Sequence, residues 1–422
     1  MKKLLTVICF LLIQMSFAQR FSDYFKDQTL RIDYIFAGNQ SQQNAYVHQL
    51  VLMDQWHGRK GELNSTPIQG NGQIRVKDAQ SDQLIYVIPF SSLFQEWITL
   101  DDAKSTVKSF ENSYFIPFPK NKIKVEVVFF DALRKEKEVL HHFIDPKDIL
   151  IKKSKQNTAY QIIHKAKVSQ PIKVAIVAEG YKADEMEVFL QYANETLESM
   201  WKHAVFSQYK DAFEIVAVFS ESKDSGITQP SKNIWLDTAV SSHFDTFYSS
   251  RYLTTPHVFQ LHQLLENIPY QHIIILANTE VYGGGGILNS YTLTTTKNPN
   301  FAPVVVHEFG HSFGGLADEY FYENDIFDTK AVQKLEPWEK NITSLENFAS
   351  KWKHLVKETT PIPTPKEFEK VKEVGAYEGL KGNGLYIPTL TCRMKINNTP
   401  DFCPVCSNAL EEIIQYYTSK EN

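Results

Sequence analysis

The stretch His307-Glu308-Phe309-Gly310-His311 constrains the fold of this chain more than any other part of its sequence. An α-helix has about 3.6 residues per turn, so on a helix the two imidazoles share one face and Glu308 lies beside them. Two neutral imidazoles in that arrangement can bind one Zn²⁺, while the neighbouring carboxylate reaches a water on the metal. The pentad therefore predicts a helix that carries a metal site.

Residues on both sides of the pentad indicate where this helix begins and ends. Asn300 and Pro303 are typical of a first helical turn, where the N–H group that proline lacks would have no partner. The valines at 304–306 are β-branched and suit a helix buried against a sheet. Gly314 and Gly315 favour a helix end, because glycine adopts the left-handed conformation at little cost. We expect a buried helix that stops soon after the second histidine.

The N-terminus has the pattern of a secretory signal. Lys2 and Lys3 precede an apolar run, Leu4 to Ile13, that is too short to span a bilayer, and cleavage is expected after Ala18. No later run approaches the roughly 20 apolar residues of a membrane span. We therefore expect an exported protein with no membrane span, either periplasmic or secreted.

The composition excludes one class of partner. A hydrophobic content of 43% indicates a globular protein with a large core, and the formal net charge is -5. Because no basic stripe is present, nucleic acid is not an expected partner.

The apolar pattern divides the chain into two parts. Residues 19–150 contain runs rich in β-branched and aromatic residues, which predict strands of a β-sandwich. In residues 171–422, strands alternate with helices, which predicts a mixed, mostly parallel sheet and an α+β or α/β fold class. Residues 1–18 are the expected signal peptide, and the charged residues 151–170 are the expected linker. The predicted strands are Leu30–Phe36, Leu84–Phe90, Ile123–Phe130, Ile172–Val177, Phe213–Phe219 and His272–Ala277, and the predicted helices are Ala183–Trp201 and Val258–Ile268.

A glycine tract precedes the metal helix. Gly283–Gly286 lacks the Gly-Lys-Ser/Thr ending of a phosphate-binding loop, so we interpret it as a flexible hinge. The alternating residues 287–295 after it predict an edge strand that could pair with an extended peptide, or alternatively an ordinary edge hairpin.

A catalytic zinc needs three protein ligands and an open position for water. In the metal-binding helices of metzincin peptidases, a glycine ends the helix and the third ligand follows three residues later. Counting from Gly314 gives Ala317, which cannot bind a metal, whereas counting from Gly315 gives Asp318, which can. We therefore expect Asp318 as the third ligand, with Glu319 as the alternative. A further alternative places the true ligand downstream and Asp318 beside the site.

Other residues have expected roles around this metal. Zn²⁺ lowers the pKa of a bound water to about 7, and Glu308 would act as general base and then return the proton to the leaving amine. Tyr320 is a candidate oxyanion donor, or it packs below the site. Met394 matches the methionine turn that metzincins place beneath the ligands, or it is an ordinary core residue. Ile396 stands where metzincins often have a tyrosine.

Cys392, Cys403 and Cys406 follow the signal. An exported protein favours disulfides, and three thiols leave one unpaired. We expect a structural bridge from Cys392 to Cys403 or Cys406. A redox pair at 403 and 406 lacks a thioredoxin-like βαβ context, and half of a zinc knuckle is less favoured still.

These motifs together resemble the igalysin family, the IgA-peptidase-like zinc metallopeptidases. The resemblance spans residues 171–410, and residues 19–150 resemble the domain that precedes the peptidase. It implies a metzincin-like catalytic domain, one catalytic Zn²⁺ held by His307, His311 and Asp318, and Glu308 as catalyst. The motifs that carry it, besides the pentad, are Gly315-Leu316-Ala317-Asp318-Glu319-Tyr320, Ala178-Glu179-Gly180-Tyr181, Asp245-Thr246-Phe247, Arg251-Tyr252-Leu253 and Phe402-Cys403-Pro404-Val405-Cys406.

Two hypotheses about function follow. The first is an exported zinc endopeptidase that acts on a protein or peptide substrate, and it is favoured because Glu308 accompanies a complete ligand set. The second is an envelope or surface binding protein with a structural or vestigial zinc site. The unusual spacing of Asp318 and the separate N-terminal β-region motivate this alternative.

Overall fold

The structure is a computed structural model that describes residues 19–155, 157–320, 335–371, 373–379 and 384–420. The expected signal, residues 1–18, lies outside the described residues. None of the helices within the described ranges is long and apolar enough to cross a membrane.

Two four-stranded sheets form the N-terminal part of the chain. Their strands are β1 (Phe25–Gly38), β2 (Gln43–Met53), β3 (Gly72–Asp78), β4 (Leu84–Phe90), β5 (Lys108–Pro119), β6 (Ile123–Phe130), β7 (Glu136–Ile144) and β8 (Lys152–Lys153). The strand orders are β5-β1-β2-β8 and β4-β3-β6-β7. All neighbours are antiparallel except β2 and β8. The three strands predicted here lie within β1, β4 and β6.

One hydrophobic core joins these two sheets and explains their alternating sequences. Every second residue from Leu30 to Phe36 of β1, and every second residue of β6, belongs to it, because successive side chains of a strand point to opposite faces. This arrangement is compatible with the predicted β-sandwich. These alternating core residues are Leu30, Ile32, Tyr34 and Phe36, and Ile123, Val125, Val127 and Phe129.

A six-stranded mixed sheet organises the second part of the chain. Its strands are β9 (Tyr160–His164), β10 (Ile172–Glu179), β11 (Phe213–Val218), β12 (His272–Ala277), β13 (Gly284–Ile287) and β14 (Tyr291–Thr295), and a separate hairpin contains β15 (Tyr377–Glu378) and β16 (Tyr386–Ile387). The order is β13-β14-β12-β10-β11-β9. The four inner strands are parallel and the two edge strands antiparallel, which confirms the predicted mixed sheet.

Both faces of this sheet are buried. In β10, Val174 and Ile176 contact one core cluster, whereas Ala175 and Val177 contact another on the opposite face. A strand covered on both faces has no polar alternation, which explains its continuous apolar sequence.

Helices cover the two faces. The α-helices are α1 (Phe21–Tyr24), α2 (Leu93–Trp97), α3 (Met186–Trp201), α4 (Ala204–Gln208), α5 (Val258–Leu264), α6 (Phe301–Ser312) and α7 (Pro404–Thr418), and short 3₁₀ helices are Asp101–Lys104, Ala183–Glu185, Lys210–Ala212, Pro230–Lys232, Thr246–Tyr248, Phe348–Ser350, Lys353–Leu355 and Lys366–Val371. Residues of α3, α6 and α7 share one core cluster, while Val258 and Leu261 of α5 belong to the cluster on the other face. The pentad helix is thus packed between the sheet and two other helices.

Two segments differ from the sequence-based expectations. Residues 151–170, expected to be a linker, include β8 and β9, and β9 forms an edge of the mixed sheet. The glycine tract is not a hinge, because Gly284–Ile287 is itself the edge strand β13 and β14 lies inside the sheet. The prediction of an edge strand at 287–295 is therefore wrong, whereas its alternative, an edge hairpin, corresponds to the antiparallel pair of β13 and β14. Glycines carry no side-chain pattern from which a strand could be recognised.

A buried carboxylate fixes the loop after β11. Glu179, the last residue of β10, accepts hydrogen bonds from the Thr238 hydroxyl (2.7 Å), the Val240 N–H (2.9 Å) and both the N–H (2.8 Å) and hydroxyl (2.7 Å) of Ser242. Gly180, which follows it, has a φ of +72°, and a β-carbon there would lie 2.2 Å from the Gly226 carbonyl oxygen. The motif Ala178-Glu179-Gly180-Tyr181 is thus explained by loop geometry at the end of a strand.

Candidate metal centre

Helix α6 forms where the sequence predicts it. It begins after Asn300, its three valines are buried, and Phe309 stacks on Phe313 with ring centroids 4.9 Å apart. Gly315 has a φ of +61°, and its N–H donates to the His311 carbonyl at 3.0 Å. The left-handed turn therefore falls at Gly315, from which the count of three residues leads to Asp318.

Three acceptor atoms converge at one side of this helix. His307 Nε2 lies 3.0 Å from Asp318 Oδ1, His311 Nε2 lies 3.2 Å from the same oxygen, and the two Nε2 atoms are 3.1 Å apart. Tetrahedral zinc with bonds of about 2.0–2.1 Å separates its ligand atoms by about 3.3 Å. The triangle therefore has the dimensions of one face of a zinc coordination tetrahedron.

The remaining imidazole nitrogens define the proton positions. His307 Nδ1 lies 2.9 Å from the Arg393 carbonyl oxygen, and His311 Nδ1 lies 2.5 Å from the Leu316 carbonyl oxygen. A carbonyl only accepts, so each Nδ1 donates its N–H and each neutral ring points an Nε2 lone pair at the centre. Two lone pairs and a carboxylate oxygen with no proton between them repel one another unless a cation lies among them.

Without a cation, the pKa values of His311 and Asp318 shift in opposite directions. Burial lowers the pKa of His311, but Asp318 and Glu308 outweigh it and raise that pKa to about 9. Burial raises the pKa of Asp318, yet His311 and His307 together lower it below its ordinary value. The site thus takes up a proton in place of a metal, as a cation site does.

Glu308 is half-buried beside the triangle and against β13. A β-carbon on Gly284 would lie 2.7 Å from Glu308 Oε1, and one on Gly286 would lie 2.3 Å from the Glu308 carbonyl oxygen. The tract needs glycine because helix and strand approach too closely for any side chain. Burial, reinforced by Asp318 and opposed by both histidines, raises the pKa of Glu308.

Met394 lies directly beneath the helix. It is fully buried, and a β-carbon on Gly310 would lie 2.8 Å from its Sδ. Met394 sits in a tight turn in which the Lys395 N–H donates to the Cys392 carbonyl at 2.9 Å. The turn thus supports the ligand helix from below, and the neighbouring Arg393 carbonyl orients His307.

Tyr320 and Ile396 lie differently. The Tyr320 ring is nearly parallel to the His307 imidazole, with centroids 5.9 Å apart. Ile396, at the position where metzincins often have a tyrosine, is 40% exposed.

Glu319 does not point at the histidines. It is fully buried, its Oε1 accepts from Asn341 Nδ2 at 3.0 Å, and Cys406 Sγ donates to the same oxygen at 3.0 Å. Adjacent carboxylates therefore face different clusters, and the geometry brings Asp318 rather than Glu319 to the imidazoles.

The three cysteines meet around Glu319, but as free thiols. The Sγ atoms of Cys392 and Cys406 are 3.6 Å apart, so the expected bridge from Cys392 is not formed in this structure. The sequence correctly groups these residues, while their chemistry in the structure differs from the expectation.

The sequence analysis assigns no role to two residues that lie near the site, Glu96 and Tyr252. Glu96 is in α2, in the N-terminal part of the chain, and it accepts a hydrogen bond from the Tyr252 hydroxyl at 2.5 Å. Burial raises the pKa of Glu96 to about 7. The hydrogen bond from Tyr252 and the charge of His311 oppose this shift, and the charge of Asp318 adds to it. A β-carbon on Gly285 would lie 2.9 Å from the Tyr252 ring, so this pair stands against β13. Tyr252 belongs to Arg251-Tyr252-Leu253, one of the motifs that carry the family resemblance. The sequence around Glu96 contains no motif that would place Glu96 near the metal ligands.

Comparisons with known proteins agree with this geometry. The family profile described as IgA Peptidase M64 matches residues 161–373, just over half of the chain, and the profile described as Peptidase M64 N-terminus matches residues 20–141. A search of curated proteins finds no match. The first profile includes the pentad and Asp318, and the second covers most of the two N-terminal sheets. The chain therefore belongs to the IgA peptidase M64 family of metallopeptidases, the igalysins.

Proposed function

We propose that this protein is an exported, zinc-dependent endopeptidase with Glu308 as general base. The observation that carries the proposal is the convergence of two Nε2 lone pairs and one carboxylate oxygen within 3.2 Å of one another. Membership of a metallopeptidase family supports a peptidase, and the donor set supports zinc because imidazole and carboxylate are its usual catalytic ligands.

His307, His311 and Asp318 would hold the ion. Their positions are fixed from outside the site, since both Nδ1–H groups donate to backbone carbonyls. When bound, Zn²⁺ supplies Lewis acidity that polarises a peptide carbonyl and lowers the pKa of water to about 7. The backbone bonds keep both rings in the neutral tautomer that coordinates a metal.

Glu308 would move the proton. Its carboxylate stands beside the ligand triangle, and burial raises its pKa, which makes it a stronger proton acceptor than an ordinary carboxylate. It would take a proton from the attacking water and deliver it to the leaving amine. Tyr320 is the candidate oxyanion donor, because its ring lies against the His307 imidazole.

The proposal extends to organisation and location. Residues 1–18 would be a cleaved signal, 19–150 a β-sandwich domain, 151–170 the connection and 171–422 a metzincin-like peptidase domain in which Met394 forms the methionine turn. The protein would be periplasmic or secreted and act on protein or peptide substrates. The turn beneath Gly310 supports the metzincin-like assignment.

The test is cleavage of an unstructured protein by wild type and by Glu308→Gln. We expect a loss of about 10²–10⁴-fold in turnover with unchanged zinc content, the usual contribution of a positioned acid–base group. Glu187→Gln, the same substitution at an exposed position of α3, is the matched control. Full activity in Glu308→Gln would contradict the mechanism. Inactive but zinc-loaded wild type, tested over a broad range of unfolded peptides, would favour the binding-protein alternative.

A further inference from the structure

A second cluster of metal-binding side chains lies behind the first. Cys392, Cys403, Cys406 and Glu319 are all buried, and each offers a ligand atom within 4.8 Å of the others. They come from three separate segments: the residue after Asp318, the turn that contains Met394, and the first turn of α7. Distant parts of the chain thus meet at four donors, the number that a closed tetrahedral site requires.

The polar surroundings of this cluster are incomplete without a cation. Glu319 Oε1 accepts from Asn341, but Glu319 Oε2 is buried with no hydrogen-bond partner. A buried carboxylate oxygen without a partner is costly, and buried charges are normally paired or bind a metal. An ion among the three sulfur atoms would supply the missing partner.

The backbone is arranged to stabilise thiolates. The Cys403 N–H donates to Cys392 Sγ at 3.3 Å, and the Cys406 N–H donates to Cys403 Sγ at 3.5 Å. Cys403 is the N-cap of the 15-residue helix α7, whose positive end favours negative charge at the first turn. These contacts offset part of the charge of three thiolates and a carboxylate.

A disulfide explains the cluster less completely. Any bridge between two of the cysteines leaves one buried thiol and leaves Glu319 without a cation. The Cys392–Cys406 sulfur separation of 3.6 Å is close to the roughly 3.8 Å between two thiolates on tetrahedral zinc with bonds of about 2.3 Å. A bound metal would contact all four side chains at once, including Glu319 Oε2, which no disulfide provides with a partner.

We propose that Cys392, Cys403, Cys406 and Glu319 form a structural Zn²⁺ site, distinct from the catalytic one and independent of the proposed activity. Three thiolates and a carboxylate select zinc over hard cations such as Mg²⁺ or Ca²⁺. The site fixes both segments that support the catalytic centre. The Glu319 N–H donates to the Met394 carbonyl at 2.8 Å, and the Arg393 carbonyl orients His307.

Two measurements on residues 19–422, the chain without its expected signal and purified without reductant, test this site, because Cys392, Cys403 and Cys406 are then its three cysteines. Zinc analysis should find two ions per wild-type chain and one in the His307→Ala/His311→Ala variant, which removes two catalytic ligands. Adding Cys403→Ala and Cys406→Ala to that variant should remove the remaining ion. Cobalt substituted into the double-histidine variant should show sulfur-to-cobalt charge-transfer absorption.

Thiol titration of the denatured, chelated wild type needs no folded variant and separates the outcomes. Three reactive thiols, together with one ion in the double-histidine variant, support the site. A single reactive thiol and a mass lower by two hydrogens would mean a disulfide and overturn the proposal. Three thiols with no ion in the double-histidine variant would also overturn it, while leaving the proposed peptidase activity untouched.

Discussion

Replacing Gly310 with alanine tests how tightly Met394 supports the ligand helix. The added β-carbon would lie 2.8 Å from Met394 Sδ and 3.4 Å from Phe402 Cε1. Heavy atoms in good contact are at least about 3.5 Å apart, so Met394 would have to move by about 0.7 Å. Overpacking of this kind costs about 1–3 kcal/mol, whereas alanine gains about 1 kcal/mol over glycine inside a helix. We expect a net loss of about 1 kcal/mol in the free energy of unfolding.

Urea unfolding of a double-mutant cycle measures this contact. In a Met394→Ala background the obstacle is gone, so Gly310→Ala should stabilise the protein by about 1 kcal/mol. The resulting coupling should be about 1–3 kcal/mol. Met200→Ala is the matched control, because Met200 is equally buried in the same core but is not among the atoms nearest Gly310. Coupling to Met200 should stay below about 0.5 kcal/mol.

One outcome would refute this reasoning. If Gly310→Ala alone raised stability by about 1 kcal/mol, helix propensity would be acting unopposed, and Met394 could not lie against the helix as described. The methionine-turn role would then have no structural basis.

Three further predictions concern charged groups. Without a cation the pKa of His311 is raised to about 9, so zinc must displace the His311 proton when it binds below that pH. Calorimetry at pH 7 in buffers of different protonation enthalpy should therefore show about one proton released per ion. A zinc affinity that did not change with pH between 7 and 9 would contradict this prediction. Glu179→Gln should lower the free energy of unfolding by about 3 kcal/mol, because an amide N–H₂ at the Oε2 position would face the Val240 N–H, which now donates to the carboxylate. Urea unfolding measures this loss, with the exposed substitution Glu187→Gln as control. Burial raises the folded-state pKa of Glu96 to about 7 from 4.5. The contribution of Glu96 to the free energy of unfolding is therefore fully present below pH 4.5 and is lost as the pH rises to 7. Metal-free Glu96→Gln should therefore gain stability relative to wild type between pH 5 and pH 8, and a constant difference would argue against the raised pKa.

Local sequence patterns predicted those strands and helices whose buried side chains recur at a regular spacing along the chain. The continuous apolar run of β10 corresponds to a strand that is buried on both faces. The alternating apolar residues of β1 and β6 are those that enter the N-terminal core. The pentad predicted its own helix and the shared face of His307 and His311, because both depend only on helical geometry. Gly315 then led to Asp318, since a left-handed glycine determines where the chain turns.

Contacts between distant segments could not be predicted in the same way. The position of Glu96 depends on how the N-terminal sheets pack against β13, and no local pattern encodes that. The glycine strand was missed because its three glycines have no side chains to alternate. The different surroundings of Asp318 and Glu319 also depend on distant residues, because three cysteines and Asn341 surround the Glu319 carboxylate.

The orientation of His307 by Arg393 has a consequence for biosynthesis. The carbonyl that holds this imidazole lies 86 residues farther along the chain, and the methionine beneath the helix follows it. A nascent polypeptide that has been synthesised only as far as the pentad therefore lacks Arg393 and Met394, which orient His307 and support the ligand helix. We expect competence for zinc to appear only after residue 394 has left the ribosome or translocon, so an unfinished chain would carry the signature of a peptidase without its reactivity.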